Sequence, residues 1–133
     1  MMTIVRKLSP RAEYRMRETR RVESSATLAA KFPNLKSLTA LLHHFDPSGL
    51  VKTGEMRYKV NVLHAKSVFR LDCPCGECTG GDYDLSEALA TAVGSQRAIV
   101  EGEVQCRGER NRPKGEKLPC RNILRYKLTL RYV

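Results

Sequence analysis

Cys73, Cys75 and Cys78 fall within six residues, in the run Cys-Pro-Cys-Gly-Glu-Cys, and Cys106 and Cys120 follow further along the chain. No cysteine precedes residue 73. Thiolates are the soft ligands that zinc takes, and a closed structural site needs four of them brought in from separated segments. Cys75-Gly-Glu-Cys78 has the spacing of a knuckle turn, with Gly76 relieving the bend and freeing backbone N–H groups to bond sulfur. The expected zinc ligands are therefore Cys75, Cys78, Cys106 and Cys120, with Cys73 as the alternative or spare ligand. An iron–sulfur cluster draws on the same donors and is the second cofactor candidate.

Other chemistry finds less support in these residues. A CxxC pair also serves thiol oxidoreductases, but there it opens a helix within a βαβ pattern, and here the next helical pattern begins several residues later. A catalytic zinc keeps an open position and a general base close by. The histidines His43, His44 and His64 all lie away from the cysteines in sequence. Gly80-Gly81 before a helix invites a phosphate, yet Asp82 and Asp84 would repel it there. With no nucleophile–base arrangement and no evident small-molecule substrate site, the chain reads as a non-enzyme, a thiol-redox enzyme being the distant alternative.

Charge points to a partner. The net charge is +10 over 133 residues. Residues 1–21 hold seven Lys/Arg against two Glu, residues 107–133 nine against two, and the middle of the chain eight against ten. Basic excess at both ends suits a polyanion, usually nucleic acid. Cys106 and Cys120 would pin the base of a loop carrying Arg107, Arg110, Arg112, Lys114 and Lys117. No apolar run approaches a membrane span and no secretory h-region is present, so a cytoplasmic location is expected, where clustered thiols stay reduced and bind metal.

The elements that would position these residues follow from periodicity. Ser9-Pro10 opens a basic helix over 11–23, whose thin apolar stripe (Leu8, Ala12, Met16) predicts weak docking or a mobile arm. Residues 35–46 fit a helical period, yet the turn signal Asp46-Pro47-Ser48-Gly49 favours a strand entering a hairpin. Met56, Tyr58, Val60 and Val62 alternate with Arg57, Lys59 and Asn61 in a second strand. Val68–Cys73 forms a third, with Phe69, Leu71 and Cys73 on one face. Asp84 and Glu87 make a capping box for a helix over 85–93, stopped by Gly94. Ala98–Cys106 and Asn122–Val133 alternate as strands, the latter with Leu124, Tyr126, Leu128, Leu130 and Tyr132 on one face.

The fold expected is α+β: a mostly antiparallel sheet, one well-defined helix, a basic N-terminal helix or arm (1–23), and a single zinc-binding domain (24–133). If the strands share a sheet, Arg57, Lys59, Arg125, Lys127 and Arg131 line its polar face while the tyrosines face inward. Such a face contacts phosphates rather than stacking on bases, which favours structured RNA or duplex DNA. The alternative is a non-enzymatic adaptor or assembly factor with a zinc-stabilised surface and a protein partner.

Overall fold

The computed structural model describes residues 10–75, 78–79, 81–111 and 117–133. In chain order the elements are α1 (Pro10–Ser24), α2 (Leu28–Lys31), β1 (Leu35–Phe45), β2 (Lys52–Val60), β3 (Arg70–Asp72), β4 (Cys78–Thr79), β5 (Asp82–Asp84), α3 (Ser86–Gly94), β6 (Ile99–Gln105), β7 (Glu109–Asn111), β8 (Lys117–Pro119) and β9 (Ile123–Tyr132). The main sheet runs β2-β1-β9-β6 with every neighbour antiparallel. β3 pairs with β5, and β4, β7 and β8 form a small separate sheet. The class is α+β with a mostly antiparallel sheet.

Residues 35–45, readable either way, are strand because the turn after them sends the chain back alongside. The Gly49 N–H bonds the Asp46 carbonyl at 2.9 Å and the Asp46 N–H bonds the Val51 carbonyl at 2.9 Å. β1 then lies between β2 and β9, with backbone partners on both edges. Its inward residues Leu38, Ala40 and Leu42 are buried, as are Leu124, Tyr126, Leu128 and Leu130 of β9. Leu89, Ala92 and Val93 of α3 belong to the same core. A fully buried leucine is worth about 2 kcal/mol relative to exposure, so this one-sided alternation fixes the sheet's register strongly. The opposite face carries the polar residues.

Several local expectations are corrected. β2 ends at Val60, leaving Val62 outside it, because Asn61 turns the chain: its side-chain oxygen accepts the Leu63 N–H at 3.1 Å. The third strand shrinks to Arg70–Asp72. The helix expected over 85–93 spans Ser86–Gly94 without the capping box. Asp84 is held in β5 opposite Arg70, so its carboxylate reaches the N–H of Ser86 at 2.9 Å, two residues on, and Glu87 is exposed. The short helix α2 was unforeseen. Thr27 caps it by accepting the Ala30 N–H at 3.2 Å.

The described parts of the stretch expected as a loop, Glu109–Asn111 and Lys117–Pro119, are antiparallel strands paired with each other. Pairing runs from Ile99↔Thr129 to Gln105↔Ile123, continues through the Cys106 N–H to Asn122 carbonyl bond (2.8 Å) and the Cys120 N–H to Gly108 carbonyl bond (2.9 Å), and ends at Asn111↔Lys117. The same pairing offset thus carries over from β6–β9 to β7–β8, although the two pairs belong to different sheets and Arg121 between β8 and β9 has a φ of 54°. Arg112 and Lys114 lie outside the described residues, as do the side chains of Arg110 and Lys117.

α1 is tied to the domain by polar contacts, as its thin apolar stripe requires; Met16 remains 43% exposed. The Tyr14 hydroxyl donates to Asp82 (3.3 Å), Arg21 pairs with Asp84 (2.9 Å), and Glu18 lies 3.8 Å from Arg70. Among the described residues no helix is long and apolar enough to cross a membrane.

Candidate metal centre

Strand register decides which thiols meet. Alternation puts Cys106 on the inward face with Val104, and Cys120 on the inward face with Leu124. Cys106 stands opposite Asn122 and Cys120 opposite Gly108, so the two cysteines are diagonal neighbours across the paired chains. Both are buried. From the other side comes Cys73, which follows β3 directly and bonds through its N–H to the Gly81 carbonyl at 3.0 Å. Cys78 opens β4, which pairs with β7 through Cys78↔Arg110.

The sulfurs of Cys73, Cys78, Cys106 and Cys120 all lie within 4.8 Å of one another. Cys73 and Cys120 are 4.0 Å apart and Cys78 and Cys106 3.5 Å apart, and all the cysteines are free thiols. A tetrahedral ion with metal–sulfur bonds of about 2.3 Å holds its sulfurs about 3.8 Å apart, which these distances bracket. Four cysteines are therefore close enough to hold a metal ion.

The group contains Cys73 where the CxxC spacing favoured Cys75. The reason is a backbone one. The Cys75 N–H bonds the sulfur of Cys73, and its carbonyl accepts the Cys78 N–H at 3.1 Å. Cys75 thus builds the turn with its main chain, while the thiols on either side of it face inward. Cys106 repeats the pattern, since its sulfur accepts the N–H of Gly108, also two residues on, at 3.3 Å. Such N–H···S bonds orient ligand sulfurs and offset their charge. The signal in the sequence was alternation: Phe69, Leu71 and Cys73 share a face, and Cys75 lies past the strand's end.

Two glycines enclose the site. A Cβ built on Gly81 would overlap the sulfurs of Cys78 and Cys106, and one on Gly108 would overlap the Cys78 sulfur and the Gly81 backbone. Backbone therefore packs directly on sulfur, which only glycine permits. Gly108→Ala is expected to displace Cys78 and lower metal affinity at least tenfold, the scale set by disturbing the groups that orient metal ligands. Competition with a chromophoric chelator measures this, and unchanged affinity would show that the glycine is dispensable.

The thiol electrostatics favour a cation. The Cys73 thiol is drawn down to about 4, first by its hydrogen bond from Cys106, with further bonds from the Cys75 amide, Tyr83 and Cys120. Cys78 is pushed up to about 11, chiefly by burial. Cys106 is also raised, by donating to Cys73 and by burial. One thiolate thus suppresses ionisation of its neighbours, and only a positive charge among them lets all four ionise together. Around the sulfurs, Tyr83 donates its hydroxyl to Cys73 (3.7 Å) and the Asn122 side chain reaches the same sulfur at 4.0 Å. His44 packs its ring on Tyr83, centroids 5.9 Å apart, and burial lowers its pKa. Its distance from the cysteines in sequence hid that proximity.

Beside the thiols Asp82 is fully buried. It binds Arg70, the Arg107 guanidinium (2.8 Å to Nη2, 3.0 Å to Nε) and the Tyr14 hydroxyl. Arg107, counted from the sequence among the cationic contacts, is turned onto this carboxylate. The remaining cations of that reading lie on the main sheet. Register places Arg57 opposite Leu41, which is opposite Lys127, and Lys59 opposite Thr39, while Arg131 is opposite Ser37. Arg57, Lys59, Arg125, Lys127 and Arg131 thus share the outer face. Glu101 of β6 stands opposite Lys127 and Glu103 opposite Arg125 on the same face. Arg125 lies over the Phe45 ring at 4.4 Å and 3.8 Å from Glu103. No carboxylate lies within 4 Å of Arg57, Lys59, Lys127 or Arg131 among the described residues. Comparison of the chain with protein-family models, with curated proteins and with solved structures found no match.

Proposed function

We propose that this is a non-enzymatic zinc protein that binds nucleic acid, structured RNA or duplex DNA, through phosphate contacts on the outer face of its main sheet. Zinc is favoured over an iron–sulfur cluster by the sulfur spacing. Cluster ligands bind separate irons and stand farther apart than four sulfurs on a single ion. Four thiolates would complete the coordination of a tetrahedral zinc and leave no position for substrate, so the role read for the zinc is to hold β3, β4 and the β7–β8 pair together. Elemental analysis of protein purified without added metal is expected to find one zinc per chain; iron, or no metal, overturns this assignment.

The observation that carries the nucleic-acid reading is the sheet order. β2 and β9 flank β1, so the cations of two strands far apart in sequence form one surface. The tyrosines Tyr58, Tyr126 and Tyr132 face the core side, and the outer face carries the cations and hydroxyls with Leu41 and Ile99 between them, a surface that meets phosphates rather than stacked bases. Binding to duplex DNA or structured RNA is expected to weaken steeply with salt, and Lys127→Ala to flatten the log–log slope by about 1. Absence of affinity at low salt overturns the reading. An adaptor function is the alternative, favoured by Leu50 and Val51 at the β1–β2 turn, which are 86% and 57% exposed. It predicts a protein complex whose affinity changes little with salt.

A further inference from the structure

We infer that the outer face ends in a seat for a single nucleotide, its phosphate on β1, β2 and β9 and its unpaired base in an adjoining apolar cleft. This rests on the nucleic-acid reading and names what that surface would select: an unpaired nucleotide, bulged or terminal, next to a duplex.

Two depressions carry it. The first, about 330 Å³, has the hydroxyls of Ser37, Thr39 and Thr129 along its floor and Arg57, Lys59 and Arg131 around them. Thr39 and Thr129 are direct cross-strand partners, and Lys59 flanks Thr39 on the other side. Arg57 lies one inward–outward repeat up β2 from Lys59, and Arg131 the same step along β9 from Thr129. Hydroxyl donors ringed by guanidinium and ammonium groups, with no carboxylate within 4 Å of those cations among the described residues, match the oxygens of a phosphate. Of the acidic residues of this face, Glu55 and Glu103 lie in the row of His43, and Glu101 shares the row of Arg57 but stands at its far end on β6, beyond Lys127.

The second depression, about 590 Å³, shares Ser37 and Lys59 with the first, so the two adjoin. Its walls are mostly aliphatic, with Ala29, Pro33, Val62 and Leu63, and Lys36 and Asn61 are the further polar groups that line it. Leu63 is 68% exposed, an apolar side chain held open to solvent at the cleft's rim. A volume within the several-hundred Å³ range of ligand sites, apolar walls and a cationic mouth suit a flat heterocycle attached to a phosphate. Aliphatic walls accept any base, so the seat would discriminate unpaired from paired rather than one base from another. A base within a stack cannot reach such a cleft.

The test compares a fluorescein-labelled blunt RNA hairpin with the same hairpin carrying one bulged nucleotide, by anisotropy on the zinc-loaded protein. The bulged RNA is expected to bind about tenfold tighter, the scale of one sequestered base. Leu63→Gln, a neutral change at an exposed site, is expected to abolish that preference, whereas Arg131→Ala weakens both RNAs and keeps it. A mononucleotide is expected to compete better than inorganic phosphate, which has no base to place in the cleft. Equal affinity for the two RNAs, or equal competition by phosphate and mononucleotide, overturns the seat while the phosphate-binding reading stands. No binding of either RNA at low salt overturns both.

Discussion

Cys73→Ser, Cys78→Ser, Cys106→Ser and Cys120→Ser are each expected to release the metal and unfold the chain, whereas Cys75→Ser keeps both metal and fold. Structural zinc sites contribute about 10–16 kcal/mol of apparent binding free energy, comparable with or above the 5–15 kcal/mol total stability of an ordinary domain. The dependence follows from the shortness of the elements the thiols join. β3 spans three residues and β4 two, too little pairing to hold without a cross-link. Cys75 stands apart because its contribution is its N–H and carbonyl, which serine retains. Metal content together with thermal melting checks this. A Cys75→Ser protein that lost its metal while Cys73→Ser kept it would restore the ligand set suggested by CxxC spacing. Chelation of the wild type should have the same effect as losing a ligand.

Asp82→Ala is the second large effect expected, at about 3 kcal/mol, near the lower end of the cost of stripping a partner from a buried ion pair. Asp82 has no solvent exposure, and Arg70 on its other side is 14% exposed, so the guanidinium left behind would be poorly hydrated and keep only its longer contacts to Asp72 (3.5 Å) and Glu18 (3.8 Å). Arg107→Ala should cost under about 1 kcal/mol, because that side chain is 56% exposed and its pairing is screened by water. The contrast between the two variants, measured by urea unfolding of zinc-loaded protein, separates the carboxylate's role as a hub from ordinary surface pairing. Similar costs for both would show that no such hub exists. The Asp82 variant should also loosen α1, since the Tyr14 bond is lost with the carboxylate. Faster hydrogen exchange over residues 12–22 would report it.

Periodicity carried much of the fold. The inward residues of β1, β6 and β9 alternate at the strand period, and the Asp46–Gly49 turn arbitrated the one segment that also fitted a helix. The small elements were not legible. A strand of two or three residues has too few positions to show alternation, and the four-residue α2 shows no helical period. The cap of α3 was misplaced because Asp84 was already held by β5 and Arg21, contacts that no local rule contains.

By itself, the sequence determined that four thiols from separated segments would meet, that alternating strands would bury one face of a sheet, and that basic residues would gather at the chain's ends. All three depend on residue type and local spacing. The tertiary structure alone decided that Cys73 rather than Cys75 completes the group, because sulfur position depends on where β3 ends and on which amide caps which sulfur. It likewise decided that Cys106 and Cys120 are diagonal neighbours, that Arg107 pairs with Asp82, and that the cations of β2 and β9 form one surface across β1. Register and strand order are set by long-range backbone pairing, and spacing along the chain does not encode which strands lie side by side.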